Sequence, residues 1–312
     1  MENCVSVPAV DTGERAAKQP WRMLRSRTAS ARINGVLFVL PAVLLVGFVM
    51  VLPLAQALYY SFTSWNGAQA PVTGWTNYLN MLYDPELRRS LINSLLFVLS
   101  VPFGLIPSFV VAYMLHKDIP GNRVFRALIF APTALSWVVI GLVGRQFFAL
   151  NGPFNSIFRA LGSSGPNWLA DSNLALPAVI LTFNAAIFGI NTIIFLTGLA
   201  TVDRSTIEAA WLDGAKEWEV ITYVILPAMR RFVEFVLIVT VVTSATGIFA
   251  MIYVMTGGGP GSATLTLEFA VWRRAFATGG FGAGAAIGIT LMLVTLLAIG
   301  VIRLTLRDRS EA

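Results

Sequence analysis

Six stretches of this chain, at about 36–62, 90–115, 127–149, 173–200, 232–255 and 282–304, are apolar runs of membrane-crossing length. A spanning helix needs about 20 apolar residues. The runs lack the period-2 alternation of a barrel strand, and lipid offers no partner to an unpaired backbone group, so helices are the expected form. Composition agrees: 56% of residues are hydrophobic and 12% charged, where soluble domains carry about 25% charged residues. With a mean hydropathy of +0.72 over 312 residues, spans and short connections use up the length. The expectation is an all-α integral membrane protein. Residues 35–306 form its membrane domain, between a basic tail at 1–34 and a short tail at 307–312. The first run is too long for a signal-peptide core and lacks a small-residue cleavage site, so it is read as the first span.

Charge gives the orientation. With the N-terminus inside, 16 of the 22 Lys and Arg residues fall on the cytoplasmic side, from Arg15, Arg22 and Arg32 in the tail to Lys117, Arg204, Lys216 and Arg231 in the connections. Positive residues are retained inside, so both termini are expected in the cytoplasm. The formal net charge of +6 then needs no nucleic-acid partner. Cys4 is the single cysteine and His116 the single histidine. One tail thiol forms neither an intrachain disulfide nor a metal site, and His116 beside Lys117 reads as a solvated helix end.

The connections are read as loops: Ser64–Arg89 with interfacial Trp65, Trp75 and Tyr78, Leu150–Ser172, and the glycine-rich Thr256–Phe281. Gly257-Gly258-Gly259-Pro260-Gly261 has no following Lys and reads as a turn. The chain contains no GxxxxGK[ST], HExxH or GxSxG and no Cys/His cluster, so no catalytic, cofactor or metal residues are assigned. The spans hold almost no charge beyond Arg145 and Glu234. A proton-coupled carrier buries an ionisable relay in the membrane, so energy for uphill movement is expected from outside the chain.

Between the fourth and fifth runs lies a long amphipathic segment, Glu208 to Pro227, reading EAAWLDGAKEWEVITYVILP. Ser205-Thr206-Ile207-Glu208 matches a capping box, with a hydroxyl at the N-cap. Ile207, Trp211, Ala215, Trp218 and Ile221 recur at helical spacing and give one apolar face. Gly214 inside a helix costs ~1 kcal/mol relative to Ala, so it is expected to mark a bend between two short helices, with Asp213 near the turn. Leu226-Pro227 opens the next apolar run, because Pro is tolerated in a first helical turn. Residues 201–231 are therefore read as a helix-turn-helix across the mouth of a bundle, free to dock a partner. A helix lying on lipid fits the same pattern.

Glu208-Ala209-Ala210, Gly214 four residues after Ala210, and Leu226-Pro227 resemble the EAA loop of membrane subunits in ABC-type importers. Ile252-Tyr253-Val254-Met255-Thr256-Gly257-Gly258-Gly259-Pro260 resembles a stretch typical of the first permease subunit of sugar importers of the maltose, multiple-sugar and glycerol-3-phosphate type. The resemblance runs from about Leu40 to Arg303, with departures at Val202-Asp203, Thr206-Ile207, Ala250 and Gly189-Ile190. It implies a type I permease bundle of six transmembrane helices with cytoplasmic EAA coupling helices, in a bacterial or archaeal cytoplasmic membrane. It also implies four partners: a second homologous permease, a dimeric ABC ATPase holding ATP and Mg, an extracytoplasmic solute-binding protein, and a carbohydrate solute moved by alternating access. The coupling loop would comprise Glu208, Ala209, Ala210, Trp211, Asp213, Gly214 and Trp218. Glu208 would cap the first short helix and touch the ATPase, and Gly214 would set the bend. Trp211 and Trp218 would be docking knobs, or else would pack under the bundle.

The solute path is sought among the rare polar residues of the spans. Asn184, Phe188, Asn191 and Phe195 share one helical face of span four, and Thr240, Thr243, Ser244 and Gly247 form a polar or small face of span five. Asn93-Ser94 and Ser136-Trp137 are added from spans two and three. Helix packing explains the same residues. Three rivals stay open from the residues alone: an importer of another solute class, a secondary carrier or channel, and a membrane scaffold without transport.

Overall fold

The computed structural model describes residues 37–117 and 121–307. The basic tail with Cys4 and the last five residues lie outside that range. The described residues fall into two units, one ending at Gln56 and the other beginning at Ala57. The described part of the first unit belongs to α1, Leu37–Tyr60, a helix long and apolar enough to cross a membrane. A π turn at Gly47–Val51 precedes Pro53, whose missing N–H breaks the regular ladder.

In the second unit α2, Thr76–Tyr83, occupies a connection expected to be loop. The long α3, Pro85–His116, starts at a firm cap: the Asp84 carboxylate accepts from Glu86 N, with Pro85 in the first turn. Its 32 residues run on through Pro102 and Pro107, for about 48 Å. The helix α4, Asn122–Phe130, with a 3₁₀ turn to Ala134, and α5, Trp137–Phe147, follow. Then come α6, Pro153–Ala160, and α7, Ala175–Leu199. The amphipathic segment folds as α8, Arg204–Leu212, and α9, 217–228, whose middle is a π turn at Val220–Ile225. The chain continues through α10, Arg230–Thr246, α11, Phe249–Met255, α12, Leu267–Trp272, and α13, Phe281–Arg307.

Among the described residues four helices have membrane length, α1, α3, α7 and α13. The six runs of the sequence are matched only when two bent pairs each count as one span. The third span is not the single helix expected over 127–149: its halves meet at 103°. Leu135 and Ser136 are extended there, and Ser136 Oγ caps the second half by accepting from Val139 N. The fifth span is likewise broken, by 50°, after Gly247 ends α10. The Thr256–Phe281 connection is also partly helical, since α12 runs on into a π turn at Arg273–Ala277.

Two apolar clusters hold the unit together. One joins α3, α5, α7, α11, α12 and α13 around Phe97, Phe183, Met251 and Leu267. Trp137 stacks on Phe183 there at 5.9 Å, so it belongs to the packing. The other lies beside the amphipathic segment, around Leu105, Phe195, Val220, Met229 and Val236. Small residues let helices approach closely, as in other membrane bundles. A Cβ at Gly189 would lie 2.1 Å from the Ile129 carbonyl oxygen, and one at Gly104 1.7 Å from Asn184 Oδ1.

Asn93 and Ser94 are bonded to backbone across the bundle. Asn93 Nδ2 donates to the carbonyls of Ser262, Ala263 and Leu265, and Ser94 Oγ accepts from Leu267 N at 2.8 Å. Together they tie span two to the connection before span six.

Candidate functional site

The α8–α9 segment is built from local rules. The N-cap of α8 is Asp203, whose carboxylate accepts from Ser205 N at 3.0 Å. The expected capping box at Ser205 is therefore displaced by two residues, because a carboxylate already sits where the first free N–H groups point. Glu208 consequently does not cap the helix; it pairs with Arg204 at 3.0 Å, one turn back. The last carbonyls of α8 are closed by the turn: Asp213 N donates to Ala209 O, Gly214 N to Trp211 O and Ala215 N to Ala210 O. Gly214 takes φ +82° and makes the bend that the sequence suggested. A reciprocal bond then starts α9, with Lys216 N donating to Glu219 Oε2 at 2.7 Å.

The two faces of this segment differ. Ile207, Ala210, Ala215, Ile221 and Val224 pack on the second apolar cluster. Trp211 and Trp218 do not pack under the bundle; they are 47% and 56% exposed, beside Leu212 at 89% and Tyr223 at 70%. One strut fixes the segment to α3: Tyr113 Oη donates to Glu217 Oε1 at 2.6 Å, and Lys117 Nζ pairs with the same oxygen. Hydrogen bonds from Lys117, then from Tyr113, hold the Glu217 carboxyl below its ordinary range. The strut is thus complete above that range and is lost as pH falls through the lowered value.

The polar residues of the spans occupy several environments. Asn191 is 2% exposed. Its Oδ1 accepts from Thr240 Oγ1 at 3.3 Å, joining α7 to α10, while its Nδ2 has no partner among the described residues. Asn184 donates to Ile180 O, and its buried Oδ1 has no partner among the described residues. Ser244 is buried and donates to Val241 O, Thr243 donates to Val239 O, and Phe188 is half-buried. Phe195 lies in the second cluster, edge-on to Phe109. Gly247 stands at the break of span five.

One residue at that break escaped the sequence reading. Ile248 N donates to Glu268 Oε2 at 3.1 Å, so a carboxylate from α12 serves the first free donor of α11. Burial pushes this carboxyl up to about 7, against the opposing effect of the backbone hydrogen bonds. Glu268 lies between the fifth and sixth apolar runs, outside the stretches in which a charge stands out in the sequence.

Residues 22–310 match the family model described as binding-protein-dependent transport system inner membrane component. The chain belongs to this family. This permease is 30% identical, over 85% of its length and 92% of the relative's, to a probable ABC transporter permease protein of Pyrococcus horikoshii. It is also 30% identical to the lactose transport system permease protein LacF of Rhizobium radiobacter, over 78% and 84% of the two chains. Its fold is shared with a solved bacterial ABC transporter involved in the import of the acidic polysaccharide alginate. The TM-score is 0.76 at 18% identity, covering 93% of the permease and 100% of the other chain. The permease is a multi-pass inner membrane protein and a transport component, not an enzyme.

Proposed function

We propose that this permease is one of two homologous membrane subunits of an ATP-driven importer for a carbohydrate. Its 30% identity to a lactose permease supports the solute class. The observation that carries the mechanism is the α8–α9 pair: its inner face is packed and its outer face offers Trp211, Leu212, Trp218 and Tyr223 to a partner. Exposed aromatic residues on a rigid support are the usual anchors of a protein interface. On this reading the segment sits in a cleft of a dimeric ABC ATPase, which binds ATP and Mg. Gly214 holds the angle of the pair, and Glu208 and Asp213 lie at its surface. The basic residues Lys117, Arg204, Lys216 and Arg303 gather around this end, which supports a cytoplasmic placement for it and for both termini. A solute-binding protein delivers sugar to the opposite face.

Purification in mild detergent tests the assembly. The tagged chain is expected to bring down a second permease and an ATPase. Trp211→Ala with Trp218→Ala is expected to lose the ATPase by tenfold or more while keeping the second permease. Recovery of the chain alone overturns the reading.

The same proposal assigns the path to Asn184, Phe188, Asn191, Thr243, Ser244 and Gly247. The spare Nδ2 of Asn191 supports this, because a buried donor left unmade costs about 1–3 kcal/mol and a solute oxygen relieves it. In proteoliposomes Asn191→Leu is expected to raise the half-saturation for sugar several-fold at unchanged abundance. Unchanged uptake shows that Asn191 only packs.

A further inference from the structure

A membrane helix breaks only where protein or an internal cavity satisfies its freed backbone groups, and such breaks gather at transport sites. In span five the break exposes the first donors of α11, and Ile248 is fully buried. Its N–H is met by Glu268 of α12 and by no side chain of span five itself. The carboxylate is in turn held from two directions. Upstream, Leu267 N is bound by Ser94 and the preceding carbonyls by Asn93. Downstream, Arg273 pairs with Glu86 at 2.5 Å and Arg274 with Asp84. All four anchoring side chains stand on α3 or at its cap. The ring of Trp272, one turn after Glu268, lies 5.5 Å from both Phe249 and Tyr253 of α11. The second half of span five is therefore attached to the α12 segment, and through it to span two.

We infer that Glu268 is a positioning residue for the solute path: its bond to Ile248 N–H fixes the break beside Gly247, so that α11 moves with the α12 segment and span two rather than with α10. This rests on the transport reading above. Glu268 need not touch the solute; it sets where the polar face of α10 ends and how the backbone turns there. A neutral side chain with the same acceptor oxygen does this work, and an apolar one of similar size does not.

The test uses the whole importer in proteoliposomes with sugar uptake as readout, comparing Glu268→Gln, Glu268→Leu and Glu268→Asp. Gln is expected to keep the half-saturation within twofold of the parent. Leu removes the acceptor and is expected to raise it about tenfold, the size of one hydrogen bond to a buried group, with the ATPase still recovered in the pull-down. Where Leu does not fold, Asp decides: it keeps the charge but is one methylene too short, and a rise of about fivefold or more is expected. Equal loss in Gln and Leu overturns the inference in favour of a role for the charge itself. Loss of abundance and maximal rate without a change in half-saturation overturns it in favour of plain packing. Parent-like behaviour of Leu overturns it as well. Absence of ATP-driven sugar uptake by the parent importer is a separate result, and it refutes the transport reading rather than the role of Glu268.

Discussion

Gly214→Val is expected to abolish ATP-driven uptake, to about a tenth of the parent rate or less, while the chain still inserts and accumulates normally. The reason is conformational rather than steric. Among the described residues, chain neighbours aside, no atom lies within 4 Å of a Cβ at Gly214, so there is space for a side chain. The backbone, however, is at φ +82°, where an L-residue costs roughly 1–2 kcal/mol and a β-branched one is a genuine outlier. The cheapest relief is to rotate the turn, which swings α9 relative to α8 and separates Trp211 from Trp218. The spans themselves are not pushed, because the added Cβ meets none of their described atoms within 4 Å; the swing is taken up where Ile221 and Val224 of α9 pack on the second cluster. Gly214→Asn supplies the control, since Asn tolerates the left-handed region, and it retains at least half of the uptake. Initial rates in proteoliposomes, normalised to the permease present, decide the matter. Normal uptake by the Val variant removes the turn from the coupling mechanism.

Gly189→Ala has the second large effect, on folding. Its Cβ meets the backbone of Ile129 and Phe130, at 2.1 Å from a carbonyl oxygen. Backbone on one side and helix on the other leave nothing flexible to move, so α4 and α7 must separate. Overpacking of a close contact costs about 1–3 kcal/mol or more, enough to lower the midpoint of thermal unfolding in detergent by several degrees and to cut abundance. Gly104→Ala is the informative contrast. The Cβ there meets the Asn184 side chain, closest at Oδ1 and Cγ, and no backbone atom is among its nearest contacts, so rotation about a side-chain bond can give relief. Gly104→Ala is therefore milder in stability, and a midpoint as low as that of Gly189→Ala contradicts this account.

The spans were legible because hydrophobic length is a local property, and the turn at Gly214 because a glycine between two amphipathic stretches has few other uses. The breaks were not. Pro102 and Pro107 sit inside an unbroken α3, whereas the third span breaks at Leu135–Ser136 and the fifth at Gly247–Ile248. What decides a break is the presence of a partner for the freed donors, and for Ile248 that partner is 20 residues away on another helix. The bonds of Asn93 were hidden for the same reason: its three acceptors lie about 170 residues along the chain, beyond any periodicity. The cap of α8 was a narrower miss. Asp203 and Ser205 are both competent caps, and the capping-box pattern favoured the wrong one.

The open face of Trp211, Leu212, Trp218 and Tyr223 bears on how this chain is made in a cell. On the importer reading, a copy produced ahead of its ATPase carries that apolar surface into water, where the same surface on another copy is a ready complement. Such pairs withdraw chains from productive assembly as the square of the unpartnered concentration. The yield of importer therefore depends on the ratio in which the subunits are synthesised, and raising the dose of this chain alone lowers it.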